Sequence, residues 1–346
     1  MSTNVGNVGT YLYGGYDHTS VVKEDLASWI AMISPDDTPL LDTLSRTRAT
    51  GVLHEWNLDT LAAVATRGVG EGLDWEAPTD SAPSRPNNQC EIFLQNVAVT
   101  ETMRAVATTG FADAYAYQVQ KKTKQMKRNI ESALMNDGTP TTGTSATSGG
   151  RVMKSLEELI TTNRFVSTNY SGTTTVGTTG NAGVLAEKDM NDMLQQIYLA
   201  GGSTNLIVAN APYKRQISNF SANSKNTRYI NADEKKLVVP VNVYDSEFGA
   251  IPIQLNRWSP KSTNTATATA GTATAAGIND ITGRIWLLEK EQVRTAWLRD
   301  IQHNLMGRRG DSVVGQVVAE LTLEVGAEAS CGVLTGVNNF VPSVSS

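Results

Sequence analysis

The sequence predicts an α+β chain made of two interleaved domains with an N-terminal arm and an extended two-stranded ribbon. Three observations predict it. Residues 111–137 carry one long amphipathic helix, residues 185–256 alternate between helix and strand, and residues 316–326 form a strictly alternating strand near the end. A long helix, an α/β segment and a late half-buried strand fit two packed layers better than a doubly wound parallel sheet.

Along the chain, residues 1–45 read as an arm with one short helix. Leu26, Trp29 and Ile30 make its apolar face, and Ser34-Pro35-Asp36-Asp37-Thr38-Pro39 ends it, because two prolines disfavour helix and fix turns. Residues 51–105 read as a ribbon. Leu53 to Leu58 run out, Cys90 to Thr100 return with Ile92 and Leu94 on one side, and Arg67 to Asn88 form a Gly- and Pro-bearing tip. A two-stranded ribbon rarely stands alone in water. With Trp56, Trp75 and Phe93 among its few large apolar groups, it is expected to bury them against other chains.

In the helix over 111–137, Tyr115, Val119, Met126, Ile130 and Leu134 recur at helical spacing. Lys121, Lys124 and Arg128 fall on the opposite side, and Gly138 and Pro140 stop the helix. Its length of roughly 40 Å is unusual for a compact enzyme. Residues 139–150 and 166–182 are Thr/Ser/Gly-rich loops around a shorter helix near Met153 to Ile160.

From 185, Met190, Met193, Leu194 and Ile197 mark a helix, Leu206 to Ala209 a buried strand, and Tyr213, Ile217 and Phe220 a helix opened by Pro212. Leu237 to Tyr244, Ile251 to Leu255 and Gly283 to Leu288 read as strands, and 261–277 as an exposed Thr/Ala-rich loop. In the last long strand Val317, Ala319, Leu321, Leu323 and Val325 face one way and Glu320, Thr322 and Glu324 the other, which predicts a half-buried antiparallel strand. Cys331 to Val337 are expected to continue the same sheet.

Composition narrows the function. The 346 residues are 40% hydrophobic and 18% charged, with a formal net charge of -5. A dedicated DNA-binding domain is usually basic throughout, although one basic face remains compatible with this total. Two distant cysteines, Cys90 and Cys331, give neither a disulfide framework nor a zinc spacing. No signal-peptide pattern and no membrane-length apolar run occur. His18, His54 and His303 are scattered without partners at ligand spacing. Gly68-Val69-Gly70-Glu71-Gly72 lacks the Lys-Ser/Thr pair of a phosphate loop. No catalytic, cofactor or metal residues are therefore assigned. An overlong ribbon, an overlong helix and no active-site constellation are the physical oddities that a functional reading must account for.

Ile33 to Leu41, Trp56, Asn88 to Phe93 with Thr100-Glu101-Thr102, and Gly310-Asp311-Ser312 followed by Glu320 to Val325 resemble, in that order, the major capsid proteins of tailed bacteriophages with the Hong Kong 97-type fold. The resemblance spans residues 22–337. It implies an arm at 1–45, an extended loop at 46–108 lying across a neighbouring subunit, and a peripheral domain at 109–184 with its spine helix. It further implies an axial domain at 185–290 and a return to the peripheral domain at 291–346. Hexamers and pentamers of one chain, an icosahedral shell around double-stranded DNA, a separate scaffolding protein and a portal follow from it as expectations, with assembly in the host cytoplasm. The side of the spine helix bearing Lys121, Lys124 and Arg128 is expected to face the packed DNA. An encapsulin-like nanocompartment subunit is the alternative within the same fold, and an enzyme without recognisable motifs is the alternative outside it.

Overall fold

The computed structural model describes residues 34–61, 71–72, 74, 82–106, 110–136, 140–143, 150–166, 185–223, 242–260 and 283–337. The expected short helix near 22–32, most of the ribbon tip with Trp75 and the loop 261–277 lie outside the described residues. The first half contains α1 (Pro39–Thr43), β1 (Ser45–Arg48), β2 (Leu53–Glu55), β3 (Asn87–Gln89), β4 (Glu91–Thr100), α2 (Glu101–Ala105), α3 (Ala114–Met135), α4 (Leu156–Leu159) and β5 (Arg164–Val166). The second contains α5 (Glu187–Leu199), β6 (Leu206–Ala209), α6 (Ala211–Asn223), β7 (Val243–Ser246), β8 (Gly249–Leu255) and β9 (Ile285–Leu288). It ends with β10 (Val293–Leu305), β11 (Ser312–Val325) and β12 (Gly332–Thr335).

The spine helix α3 is 22 residues long, or about 33 Å. Asp113 caps it by accepting the N–H of Tyr115 at 2.9 Å. Met126, Ile130 and Leu134 are fully buried, as their spacing requires. They pack on a four-stranded sheet of order β1-β10-β11-β4. Val317, Ala319, Leu321, Leu323 and Val325 of β11 point into that same core. Gly315 has no room for a side chain, because a Cβ there would collide with the hydroxyl of Tyr115, which bonds His303 Nε2 at 2.8 Å.

The second sheet has six strands in the order β5-β12-β9-β6-β8-β7. Its central strands are buried on both faces, so they read as unbroken apolar runs. Leu206 and Val208 of β6 and Trp286 and Leu288 of β9 join the spine-helix core, whereas Ile207, Ala209, Ile285 and Leu287 join a second core with α5 and α6. This sheet is thus a wall shared by both cores, which interlocks the two domains.

Two expectations change. Residues 332–335 do not extend the sheet of β11. They pair with β9 and β5 in the six-stranded sheet, after a turn through Glu328–Ser330 redirects the chain. The ribbon is also differently paired. Cys90 to Thr100 is not the returning partner of Leu53 to Leu58. β2 pairs with β3, with a further bridge at Leu58–Ser84, while β4 pairs with β11 across ten residue pairs from Ser312↔Thr100 to Leu321↔Glu91. The long apolar partner β11 outcompetes a three-residue ribbon strand for the β4 edge.

Candidate assembly surfaces

The ribbon leaves the body through a root fixed by side-chain hydrogen bonds. Asn88, nearly fully buried, donates to the carbonyls of Leu323 at 2.8 Å and Lys154 at 3.0 Å and accepts the N–H of Lys154 at 2.8 Å. His54 Nε2 lies 3.1 Å from Glu324 Oε2, and the Thr47 hydroxyl donates to the same oxygen at 3.3 Å. Trp56 is half-buried, its ring 5.9 Å from that of His54, and its backbone N–H donates to Pro86. Cys90 sits buried at this root, and burial pushes its thiol up to about 11.

Both faces of β11 are covered, contrary to the expected half-buried strand. Glu320 is buried and held by Arg151 at 2.5 Å and Arg299 at 2.8 Å. Glu324 takes Arg294 at 3.8 Å besides His54. Charge-assisted bonds of this kind compensate much of the cost of burying a carboxylate. A second buried cluster bonds Glu157 to Arg164 and sets Arg284 beside it as an ion pair at 2.7 Å without hydrogen-bond geometry.

Residue parity decides the place of Phe93. Partly buried, it pairs with Ala319 and packs against the spine-helix core of its own chain. Ile92 and Leu94 occupy the opposite, open face.

The basic side of α3 is partly engaged within the chain. Lys124 contacts Asp36 at 2.6 Å, and this hydrogen bond and charge hold the Asp36 carboxyl below its usual range. The Arg128 guanidinium lies 5.3 Å from the ring centre of Trp258. The Trp258 indole N–H in turn donates to the carbonyl of Asp37 at 2.9 Å. Lys121 is exposed and, among the described residues, makes no ion pair. Sequence reasoning missed Glu131, fully buried on the apolar side of the same helix. The signal was available: a carboxylate beside Ile130 and Leu134, on a helix otherwise bearing only cations, must meet buried donors.

The SU10 major capsid protein family matches residues 4–338. The chain belongs to that family. Over 286 residues it is 24% identical to the major capsid protein of Escherichia phage Phieco32, covering 72% of this chain and 81% of that one. A solved structure from Microbacterium phage Oxtober96 is similar at a TM-score of 0.60 and 11% identity, covering 94% of this chain and 98% of that chain. One from Mycobacterium phage Adephagia is similar at 0.59 and 13%, covering 95% and 99%. The holo-SrpI encapsulin complex of Synechococcus elongatus is similar at 0.58 and 13%, covering 97% and 99%. The fold is the Hong Kong 97-type expected from the sequence, and the chain is a phage capsid subunit, a component of the virion. No helix among the described residues is long and apolar enough to cross a membrane.

Proposed function

We propose that the chain builds the main shell of its virion by assembling into hexamers and pentamers that close icosahedrally around double-stranded DNA. The match to a major capsid protein family over nearly its whole length supports this reading above all. Closed symmetry lets one chain repeat a few contacts around an entire shell. A separate scaffolding protein and a portal are part of the proposal. So is the absence of catalysis: the buried carboxylates Glu157 and Glu320 are each neutralised by two arginines.

DNA would be met through phosphates without sequence reading, on the side of α3 that carries Lys121, Lys124 and Arg128. Sidedness supports this assignment. The ribbon root contacts Glu324, on one face of the four-stranded sheet, and α3 covers the other face. A ribbon lying over the outside of the shell leaves the basic helix toward the inside. The test is electron microscopy of particles from the full chain co-expressed with its scaffolding protein. Closed shells with five- and six-fold capsomers are expected. A soluble monomer under all conditions, or a particle map with the basic helix on the outer surface, would refute the respective halves.

A further inference from the structure

The segment that leads into α1 lies across the basic side of α3 and carries two acids there. Lys121, Lys124 and Arg128 are spaced at i, i+3 and i+7, so they share one side of the helix over about 10 Å. Asp36 reaches Lys124 at 2.6 Å, and Asp37 reaches the Arg257 guanidinium at 3.2 Å. The carbonyl of Asp37 also accepts the indole N–H of Trp258, over whose ring the Arg128 guanidinium lies. Residues 34–37 thus form a strap from α3 to the segment that follows β8.

This strap is held loosely along its length and firmly at its end. Residues 34–37 are all exposed. The side chains of Lys124 and Asp36 are 53% and 45% exposed, and those of Arg257 and Asp37 are 67% and 63% exposed. Ion pairs this wet are screened by salt and contribute little to stability. A cleft of about 110 Å³ lies between residues 34–36 and Lys121, Lys124 and Arg128, so the strap bridges the helix and is not packed flush against it. Immediately beyond, Thr38, Leu40 and Leu41 are buried, and Glu131 takes the N–H groups of Leu40 and Leu41. The strap can therefore lift at Thr38 while α1 stays seated. With the strap down, a phosphate approaching Lys124 or Arg257 meets a carboxylate already in place.

We propose that residues 34–37 are an autoinhibitory strap, which occupies the basic side of α3 until the phosphates of double-stranded DNA displace it. This rests on the DNA-facing role of that side and adds its regulation. Asp36 and Asp37 stand in for phosphate on Lys124 and Arg257, which leaves fewer cations free to hold stray nucleic acid while subunits assemble. A duplex carries one negative charge per about 1.7 Å and gains by releasing its condensed counterions. At the concentration of a packed genome it outcompetes two exposed carboxylates.

The experiment titrates the full-length, unassembled subunit into a fluorescently labelled DNA duplex of about 20 base pairs at about 50 mM salt and reads anisotropy. Asp36→Asn with Asp37→Asn should bind about fivefold more tightly than the wild type, with a steeper salt dependence, because more phosphates are then contacted. Asp36→Asn alone should give part of that gain. Asp245→Asn with Glu247→Gln removes the same charge from the exposed turn between β7 and β8 and should change affinity less than about twofold. The gain should disappear when Lys124→Ala and Arg257→Ala are also present. Equal affinity of the wild type and both strap variants, an equal gain from the turn variant, or a gain that survives loss of Lys124 and Arg257 would overturn the strap. Binding that is weakened by Lys121→Ala with Lys124→Ala but unmoved by the aspartate changes would leave the DNA-facing side standing and overturn the strap alone. Absence of binding by every variant would remove both.

Discussion

The Glu131 carboxylate accepts the side-chain amide of Asn256 at 2.5 Å, in a fully buried site between the spine helix and the segment that follows β8. Its two oxygens also accept the backbone N–H groups of Leu40 and Leu41, each at 2.8 Å. These N–H groups belong to the first turn of α1, where no intrahelical acceptor exists. One side chain thus joins α1, α3 and the segment that follows β8. Burial raises its pKa, opposed by the bonds from Leu41, Leu40 and Asn256.

Glu131→Gln keeps the shape but turns an N–H₂ toward donors, so at least one buried N–H loses its acceptor. A loss of about 1–3 kcal/mol is expected, measured by denaturant unfolding of the unassembled subunit. Asn256→Ala should cost less, because Leu40 and Leu41 retain their acceptor. Equal stability of Glu131→Gln and the wild type would show that the joint is not a structural determinant.

Two carboxylates should tilt the acid limb of stability in opposite directions. Burial pushes Glu91 above its usual range, opposed by the N–H of Met153 at 3.1 Å. The folded state then holds this proton to higher pH than the unfolded chain, so the contribution is present in acid and is lost as pH rises through the folded pKa. Burial pushes Glu328 up as well, but the hydroxyls and N–H groups of Thr162 and Thr161 together outweigh it and leave the pKa lowered. That contribution is present above the unfolded pKa and is lost as pH falls through the folded one. From about pH 6 down to about pH 3, the advantage of the wild type over Glu328→Gln should shrink, and that over Glu91→Gln should grow. Urea midpoints across that range check both slopes.

Both thiols should be silent in the folded chain. Burial pushes Cys90 and Cys331 each up to about 11, which leaves on the order of one thiolate in ten thousand at neutral pH. A colourimetric thiol reagent should report two cysteines per chain in denaturant and almost none without it. Partial opening should expose Cys90 first, since it sits where the ribbon leaves the body, whereas Cys331 lies within the spine-helix core. Cys331 reacting ahead of Cys90 would contradict a labile ribbon root.

The legible parts of this fold were those whose pattern is local. Tyr115 to Leu134 announced α3, and Met190 to Ile197 and Leu206 to Ala209 announced α5 and β6, because one helix face or one buried run determines the element. β10 was not legible. Its register against β11 shifts between Trp297 and Arg299 and again between Arg299 and Gln302, and each irregularity breaks the alternation that marks a strand. β1 is Ser-Arg-Thr-Arg and has no apolar signal. It is a strand because β10 supplies a parallel edge. Sheet membership of β12 and the inward turn of Phe93 depend on pairing between segments distant in the chain, which periodicity does not encode. The inward turn of Phe93 has the same origin: a one-residue difference in parity separates it from the exposed Ile92 and Leu94.

Finally, the shell should hold together without covalent links between subunits. An isopeptide staple on the extended loop needs a lysine amine, deprotonated in an apolar pocket, with a carboxylate as base. Residues 46–108 contain no lysine. Their arginines, Arg46, Arg48, Arg67, Arg85 and Arg104, stay protonated and are poor nucleophiles. Lys154 does reach the ribbon root, but its ammonium donates to the backbone carbonyl of Asn87 of the same chain at 3.3 Å, so it ties the root to its own body. Cys90 and Cys331 are buried and unpaired. Cohesion then rests on area and repetition. Interfaces of roughly 1,000 Å² or more recur at every subunit, and an arm and a ribbon anchored at several points release the chain only when all let go together. Denaturing gel electrophoresis of mature particles, boiled without reductant, should give one band near 37.1 kDa. A ladder of multimers that survives boiling and reductant would establish a cross-link chemistry outside the residues considered for it.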